Sequence, residues 1–331
     1  MNKTIILEKR PLGKPKLSDF KFVSNDVEPI TDGELLLKTT YVSVDPYLRG
    51  RMNDAKSYIP PFELYKPIMS GIIAEVVDSK NPAFIKGDFV SGMLEWKEFQ
   101  KSNGEGLLKV DASKAPLSSY LGVLGMTGLT AFLGLTEIGK PKKGETIVVS
   151  GAAGAVGSIV GQIAKIYGCK VIGIAGTDEK GTMLKSSLGF DETINYKTTK
   201  NLSAAIKEVA PNGVDIYFDN VGGSISDAVI VNINQFARIV VCGAISVYNN
   251  TELPKSISVQ PFLVRNSAIM QGFIVFNYAE KHPEAIAQLS QWLAEDKLTY
   301  SETIAEGFDN IPQAFLDLFE GKNRGKMLVK I

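Results

Sequence analysis

Ile147-Val148-Val149-Ser150-Gly151-Ala152-Ala153-Gly154-Ala155-Val156-Gly157-Ser158 is the stretch on which the fold turns. An apolar run suited to a strand covered on both faces passes into glycines and then into a helical pattern. In the G-x-G-x-x-G register Ala152 takes the first place, Gly154 and Gly157 the others, and Gly151 adds turn freedom. Such a loop suits a dinucleotide. It allows a tight turn, close approach of backbone to a pyrophosphate, and a helix packed on the sheet with its free N–H groups facing the phosphates. The motif alone is a weak signal, and a ligand-free strand–helix corner reads the same way; its neighbours decide.

After the loop, strands and helices alternate. The pattern predicts a helix over 155–167, strand 170–175, helix 178–188, strand 192–196, helix 203–209 and strand 214–219. A helix near 224–232, strands 237–243 and 268–276, and a helix over 283–293 follow. This alternation predicts an α/β fold with a doubly wound parallel sheet. Before the loop, strand-like runs at 34–44, 68–77 and 89–93 sit among dense turn signals, which suggests a partly open β-barrel. Residues 49–66 form a long polar and aromatic connection, a binding loop or variable surface. The tail predicts a helix over 311–320 and a strand over 327–331 that rejoins the first domain. The expected domains are 1–117, 118–297 and a returning segment 298–331.

Composition narrows the function. The chain has 331 residues, enough for two domains. Thirty-six basic and 36 acidic residues leave no net charge, which disfavours nucleic acid as a partner. Lys140-Pro141-Lys142-Lys143 reads as a solvated turn. Two cysteines, Cys169 and Cys242, and one histidine, His282, cannot supply the four ligands of a structural zinc site. His282 lies in a polar helix start and reads as solvated. The uncharged stretches 115–136 and 146–164 are too rich in glycine for a membrane helix, and no signal peptide is evident; a cytoplasmic protein with reduced thiols is expected.

The ends of the predicted strands carry the chemistry. An NAD site places an acid about 20 residues beyond the glycines. Here Gly176 follows the second strand, then Thr177, Asp178, Glu179 and Lys180. Asp178 keeps NAD open, whereas Thr177 and Lys180 suit a 2′-phosphate; capping of the next helix by Thr177 or Asp178 is the plain alternative. Tyr248, after the strand ending near Gly243, could donate a hydrogen bond or proton to a substrate oxygen, or be an ordinary loop tyrosine. Cys242 reads equally as a small buried apolar residue.

Long collinear motifs also carry a resemblance. They include Val44-Asp45-Pro46-Tyr47-Leu48-Arg49, Gly125-Met126-Thr127-Gly128-Leu129-Thr130-Ala131 and the glycine loop. Gly173-Ile174-Ala175-Gly176-Thr177-Asp178-Glu179-Lys180, Asn195-Tyr196-Lys197 and Phe218-Asp219-Asn220-Val221-Gly222-Gly223 continue the series. Gly243-Ala244-Ile245-Ser246-Val247-Tyr248-Asn249 and Gly321-Lys322-Asn323-Arg324-Gly325-Lys326 complete it. Over nearly its whole length the chain resembles the medium-chain dehydrogenase/reductases, in the zinc-free branch of prostaglandin reductases, leukotriene 12-hydroxydehydrogenases and alkenal double-bond reductases.

The resemblance implies a GroES-like catalytic domain, a Rossmann domain, an active site in the cleft between them, NADP(H) and a homodimer. By position it implies that Lys180 and Tyr196 hold the 2′-phosphate with Gly176 and Thr177, and that Asn220 lies by the ribose. Gly151, Ala152, Ala153, Gly154, Ala155, Val156 and Gly157 would carry the pyrophosphate. Phe273 and Val275 would flank the nicotinamide, with Asn323, Met126, Thr130 and Cys242 also at the cofactor. Tyr248 would stand beside the substrate carbonyl, and Tyr47 and Arg49 would contact substrate. Two departures stand out: Thr127 replaces the proline common in close relatives, and Ser70-Gly71-Ile72 occupies the place of the Gly-His-Glu of the zinc-dependent branch. The implied activity is NADPH-dependent reduction of the carbon–carbon double bond of enones and enals. Quinone reduction, or NADPH sensing without turnover, are the rival readings.

Overall fold

The structure, a computed structural model, describes residues 1–331. It divides into a unit of 1–121, 303–323 and 327–331, and a unit of 122–302 with 324–326. Residues 324–326 of the tail thus belong to the second unit.

The first unit is antiparallel. β1 (Asn2–Leu7) pairs with β2 (Phe20–Asn25), a hairpin the turn signals did not reveal. β3 (Leu35–Ser43) is followed by one helical turn, α1 (Leu48–Arg51). Then come β4 (Met69–Ser79), β5 (Phe89–Glu95), β6 (Phe99–Ser102) and β7 (Leu108–Val110). β3, β4, β5 and β7 follow one another in the main sheet, and β6 pairs with β3 off that path. Alternating apolar residues of β3 and β4 bury Leu35, Leu37, Val42, Ile72, Ala74 and Val76 in one core with Trp96. The Trp96 indole N–H, fully buried, donates to Ser70 Oγ at 2.8 Å, so this polar atom is satisfied inside the core.

The second unit opens with α2 (Met126–Leu133), within the uncharged stretch read above only as glycine-rich packing. Its glycines have a steric role: a Cβ on Gly128 would stand 1.8 Å from the Val123 carbonyl oxygen. Thr127 donates to the Gly122 carbonyl at 3.0 Å, giving the helix start a hydrogen bond that a proline lacks. A π-helical turn over Gly134–Gly139 follows.

Then the alternation runs as predicted. β8 (Thr146–Ser150), α3 (Gly157–Ile166), β9 (Lys170–Ala175), α4 (Asp178–Leu188) and β10 (Glu192–Asn195) come first. α5 (Leu202–Val209), β11 (Val214–Asp219), α6 (Gly223–Ile230), β12 (Ile233–Val241), α7 (Gln260–Asn266) and β13 (Ile269–Gly272) follow. α8 (His282–Ala294) closes the run. The six strands are parallel in the order β10-β9-β8-β11-β12-β13. Counted from β8 this is the 3-2-1-4-5-6 order of a dinucleotide-binding sheet, whose direction reverses between β8 and β11. The tail forms β14 (Glu302–Glu306), α9 (Ile311–Leu318) and β15 (Lys326–Lys330); β15 pairs antiparallel with β3, as the sequence suggested.

Two strands differ from the reading above. β12 begins at Ile233, with a register shift against β11 and Phe236 at φ 62°. The strand expected over 268–276 ends at Gly272 because Phe273 leaves the sheet to pack on Gly134, and a turn follows in which Asn277 N–H donates to the Ile274 carbonyl.

Candidate active site

β8 delivers the glycine loop to the reversal point. Gly151 takes φ 58°, a conformation that favours glycine, and Gly154 N–H closes the turn on the Gly151 carbonyl at 2.9 Å. Gly157 starts α3, where a Cβ would stand 2.4 Å from the Gly151 carbonyl oxygen. Helix and turn approach as closely as backbone allows, which is the cradle a pyrophosphate needs. Ala152 and Ala153 are buried, whereas Gly151, Gly154, Ala155 and Val156 stay partly accessible.

β11 supplies the facing wall. Asn220 donates from Nδ2 to the Ser150 carbonyl at 2.8 Å, and its own N–H donates to Ser150 Oγ at 3.0 Å. The buried Asp219 carboxylate binds the Tyr217 hydroxyl, Ser150 Oγ and the Val221 and Gly222 N–H groups, fixing the turn after the strand.

Beyond β9, Thr177 caps α4, its hydroxyl accepting from Lys180 N–H at 3.2 Å. Asp178, the acid that kept NAD open, accepts from Asn195 Nδ2 at 2.8 Å. Gly176 lies under the Tyr196 ring and the Lys197 stem: a Cβ there would be 3.2 Å from the Tyr196 hydroxyl and 3.3 Å from Lys197 Cε. Burial first, then repulsion from Lys197 and Arg324, pulls the Lys180 pKa below its usual value. Lys197 and Arg324 were quoted above only within motifs. The signal for Arg324 was the tail, which comes back in a parallel bridge of Gly325 with Gly154, Gly325 N–H donating to the Ala153 carbonyl at 2.8 Å. Lys197 and Arg324 lie within electrostatic reach of Lys180, a concentration of positive charge that could hold a multiply charged anion.

Tyr248 lies after β12. Its hydroxyl oxygen accepts from Ala244 N–H at 3.1 Å and would stand 3.0 Å from a Cβ on Gly243. The side chain is half-buried, and burial holds its pKa above the usual phenol value while the Ala244 hydrogen bond lowers it. Gly243 N–H binds the Asp219 carbonyl and Ser246 N–H the Val221 carbonyl, so the loops after β11 and β12 hold Tyr248 at the carboxyl end of the sheet.

The remaining expected residues are more scattered. Phe273 packs on Gly134, where a Cβ would stand 2.5 Å from the ring. Val275 is buried with Leu129, Leu133 and Ala285, beside Met126. Thr130 donates to the Met126 carbonyl within α2. Burial and the Asp219 charge push the Cys242 thiol up to about 12, so it is an inert thiol at neutral pH. Asn323 falls in the first unit. Tyr47 is half-buried there, its pKa raised by burial and by the Asp45 charge. Arg49, expected at the substrate, is 2% exposed, and its Nη2 donates to the Pro11 and Gly13 carbonyls at 3.2 and 2.9 Å and its Nη1 to Asn53 at 2.6 Å. It locks the chain before β2 to α1, with its donors turned to the protein's own oxygens. His282 is likewise not solvated but half-buried, with Nε2 at 3.0 Å from the Val275 carbonyl.

Comparison with known proteins now assigns the class. Residues 3–110 match the N-terminal domain of oxidoreductase family, and 155–295 the zinc-binding dehydrogenase family. The chain is a medium-chain dehydrogenase/reductase, in the zinc-free branch of prostaglandin and alkenal reductases. It is 56% identical to YfmJ of Bacillus subtilis, over 99% of this chain and 97% of that one. Prostaglandin reductase 1 of Bos taurus shares 46% over 99% and 98%, and the NADP+-dependent 2-alkenal reductase of Nicotiana tabacum 42% over 100% and 97%. The crystal structure of CurA from Vibrio vulnificus in complex with NADPH matches with a TM-score of 0.94 at 43% identity, over 99% of this chain and 98% of that one. Zinc in the second family's description does not fit this donor set: no three His, Cys, Asp or Glu side chains are grouped for a metal, and His282 is turned to a backbone carbonyl. No helix is long and apolar enough to cross a membrane.

Proposed function

We propose that this NADP-dependent oxidoreductase reduces the carbon–carbon double bond of α,β-unsaturated ketones and aldehydes. The observation that carries the reading is Tyr248, whose oxygen accepts the Ala244 N–H and so keeps its own proton for a substrate oxygen. Bound NADPH supplies the hydride. The glycine loop, with Gly157 held against Gly151, would hold its pyrophosphate, and Lys180, Tyr196, Lys197 and Arg324 would hold its 2′-phosphate, a reading supported by the close Gly157–Gly151 approach and the charge gathered at Lys180. The conjugated carbonyl makes the β-carbon electrophilic, and charge develops on its oxygen as an enolate. Tyr248 donates a hydrogen bond to that oxygen, and the Ala244 N–H stabilises the phenol oxygen as its proton is shared. The α-carbon is then protonated by Tyr248 or by water. This chemistry needs no Lewis acid, in keeping with a donor set that does not assemble one.

NADPH oxidation against an enone, an enal and a quinone, with NADH in parallel, tests the reading. The expected result is fast NADPH oxidation with the enone or enal, giving the saturated carbonyl compound. Preference for the quinone overturns it in favour of quinone reduction. NADPH binding without turnover of any of the three would point to a sensor.

The protein acts as a homodimer in this reading, and in the cytoplasm, where its two free cysteines stay reduced. β13 is an edge strand that presents Ile269, Met270, Gln271 and Gly272 with no charge or proline, every one of them exposed. The opposite edge, β10, carries Glu192. An unprotected apolar edge pairs readily with its own copy about a two-fold axis. Met270→Lys is expected to convert a dimer to a monomer in analytical ultracentrifugation; a wild-type monomer would refute the dimer.

A further inference from the structure

Two acids, Asp178 and Glu179, immediately precede Lys180 in the first turn of α4. An acid at this distance beyond a glycine loop recognises the ribose 2′-hydroxyl of NAD. Beside a 2′-phosphate the same carboxylate is a like charge, so discrimination between the cofactors depends on where it points as well as on the cations. Both acids are taken up within the second unit. Glu179 is bonded by its own N–H and by the Thr177 hydroxyl and lies within reach of Arg324, which hold its carboxyl below the usual carboxylate range. The exposed Asp178 accepts from Asn195 Nδ2 at 2.8 Å, an amide that comes from the end of another strand.

Asn195 is held in its place from several sides. It ends β10, half-buried, in register with Ala175 at the end of β9. Its Oδ1 accepts Lys197 N–H at 3.1 Å, and its carbonyl accepts the Thr198 and Thr199 N–H groups at 3.3 and 3.1 Å. A carboxylate needs a donor and an N–H needs an acceptor, so these two side-chain bonds fix which way the amide points. The turn that brings Tyr196 and Lys197 over Gly176 therefore also carries the group that holds Asp178.

We infer that Asn195 determines cofactor specificity: by holding the Asp178 carboxylate it keeps that charge from the 2′-phosphate of NADPH and from the ribose 2′-hydroxyl of NADH. Asn195 is a positioning residue, acting through Asp178. The inference rests on the 2′-phosphate lying at Lys180 and is independent of which substrate is reduced. Calorimetric titration with NADPH and with NADH, in the absence of substrate, tests it. Asn195→Ser keeps a hydroxyl to accept the Lys197 N–H but is too short to reach Asp178. The ratio of the NADH to the NADPH dissociation constant is expected to fall on the order of tenfold, NADPH binding more weakly and NADH more tightly. Asp178 is exposed, so the loss for NADPH should shrink at high salt. Adding Asp178→Ala to Asn195→Ser should restore the ratio to within about twofold of the wild type. Asn195→Ala is the second variant, and tighter NADH binding by either one itself reports a folded site. An unchanged ratio in both Asn195 variants, or a fall that Asp178→Ala does not restore, overturns the inference, and Asn195 then only supports the turn. Lys180→Ala in the same titration separates the two failures: if the preference for NADPH survives it, the 2′-phosphate lies elsewhere, and the inference falls with that placement.

Discussion

Tyr248→Phe is expected to lower kcat for enone reduction by about 10²-fold or more while KM for NADPH changes little. The substitution removes the one proton that Ala244 leaves unused and keeps the ring that fills the space by Gly243. Single-turnover kinetics with preformed NADPH complex would measure it. An unchanged rate would mean that the enolate is stabilised by other donors and that Tyr248 only packs. The pH profile gives a second check. The working form is the neutral phenol, which is present below its pKa and lost above it. Burial raises that pKa above the ordinary value of 10.0, so the midpoint of the alkaline decline should lie above pH 10. A tyrosine-dependent limb near pH 7 would contradict this environment.

The second large effect is expected at the other end of the cofactor. Lys180→Ala should reduce kcat/KM for NADPH by roughly ten- to hundredfold, the worth of one or two charge-assisted hydrogen bonds, and leave NADH nearly unaffected. Lys197→Ala and Arg324→Ala should act in the same direction by less, because both side chains are exposed and screened by solvent. Steady-state kinetics with both cofactors at low and high salt would show it. Equal losses for NADPH and NADH would mean that Lys180 supports the fold and not the phosphate. The ammonium must be charged to act, and its pKa lies below the usual 10.5, so NADPH affinity should fall as pH rises through that lowered value. A bound 2′-phosphate relieves the repulsion among the three cations and raises the Lys180 pKa again.

Much of the second unit was legible because its signals are local. β8, β9 and β11 are apolar runs bounded by turns, and the helix expected over 178–188 is α4, which the structure caps with Thr177 and ends at Gly189, φ 71°. The first unit was less legible. β1 and β2 find each other across a loop with no hairpin signature, and β14 carries Glu302 and Glu306 in a five-residue strand. α2 was hidden because Gly128 and the glycines flanking it argue against a helix locally, whereas the close approach of Gly128 to Val123 requires a glycine there. Phe273 has the composition of a strand residue, but the space over Gly134 draws it out of the sheet.

The candidate site divides the same way. From the residues alone came the glycine loop, the absent acid after β9 and a set of three Cys and His too small for structural zinc, since each depends on residue type and spacing along one segment. Tertiary structure decided what each polar group faces. It turned Asp178 to Asn195, brought Arg324 from the tail to Lys180, turned the Tyr248 oxygen to Ala244, and engaged Arg49 with its neighbours. Partners of a charged or polar side chain come from segments far apart in the chain, and burial then sets whether that group is satisfied or left to bind a ligand.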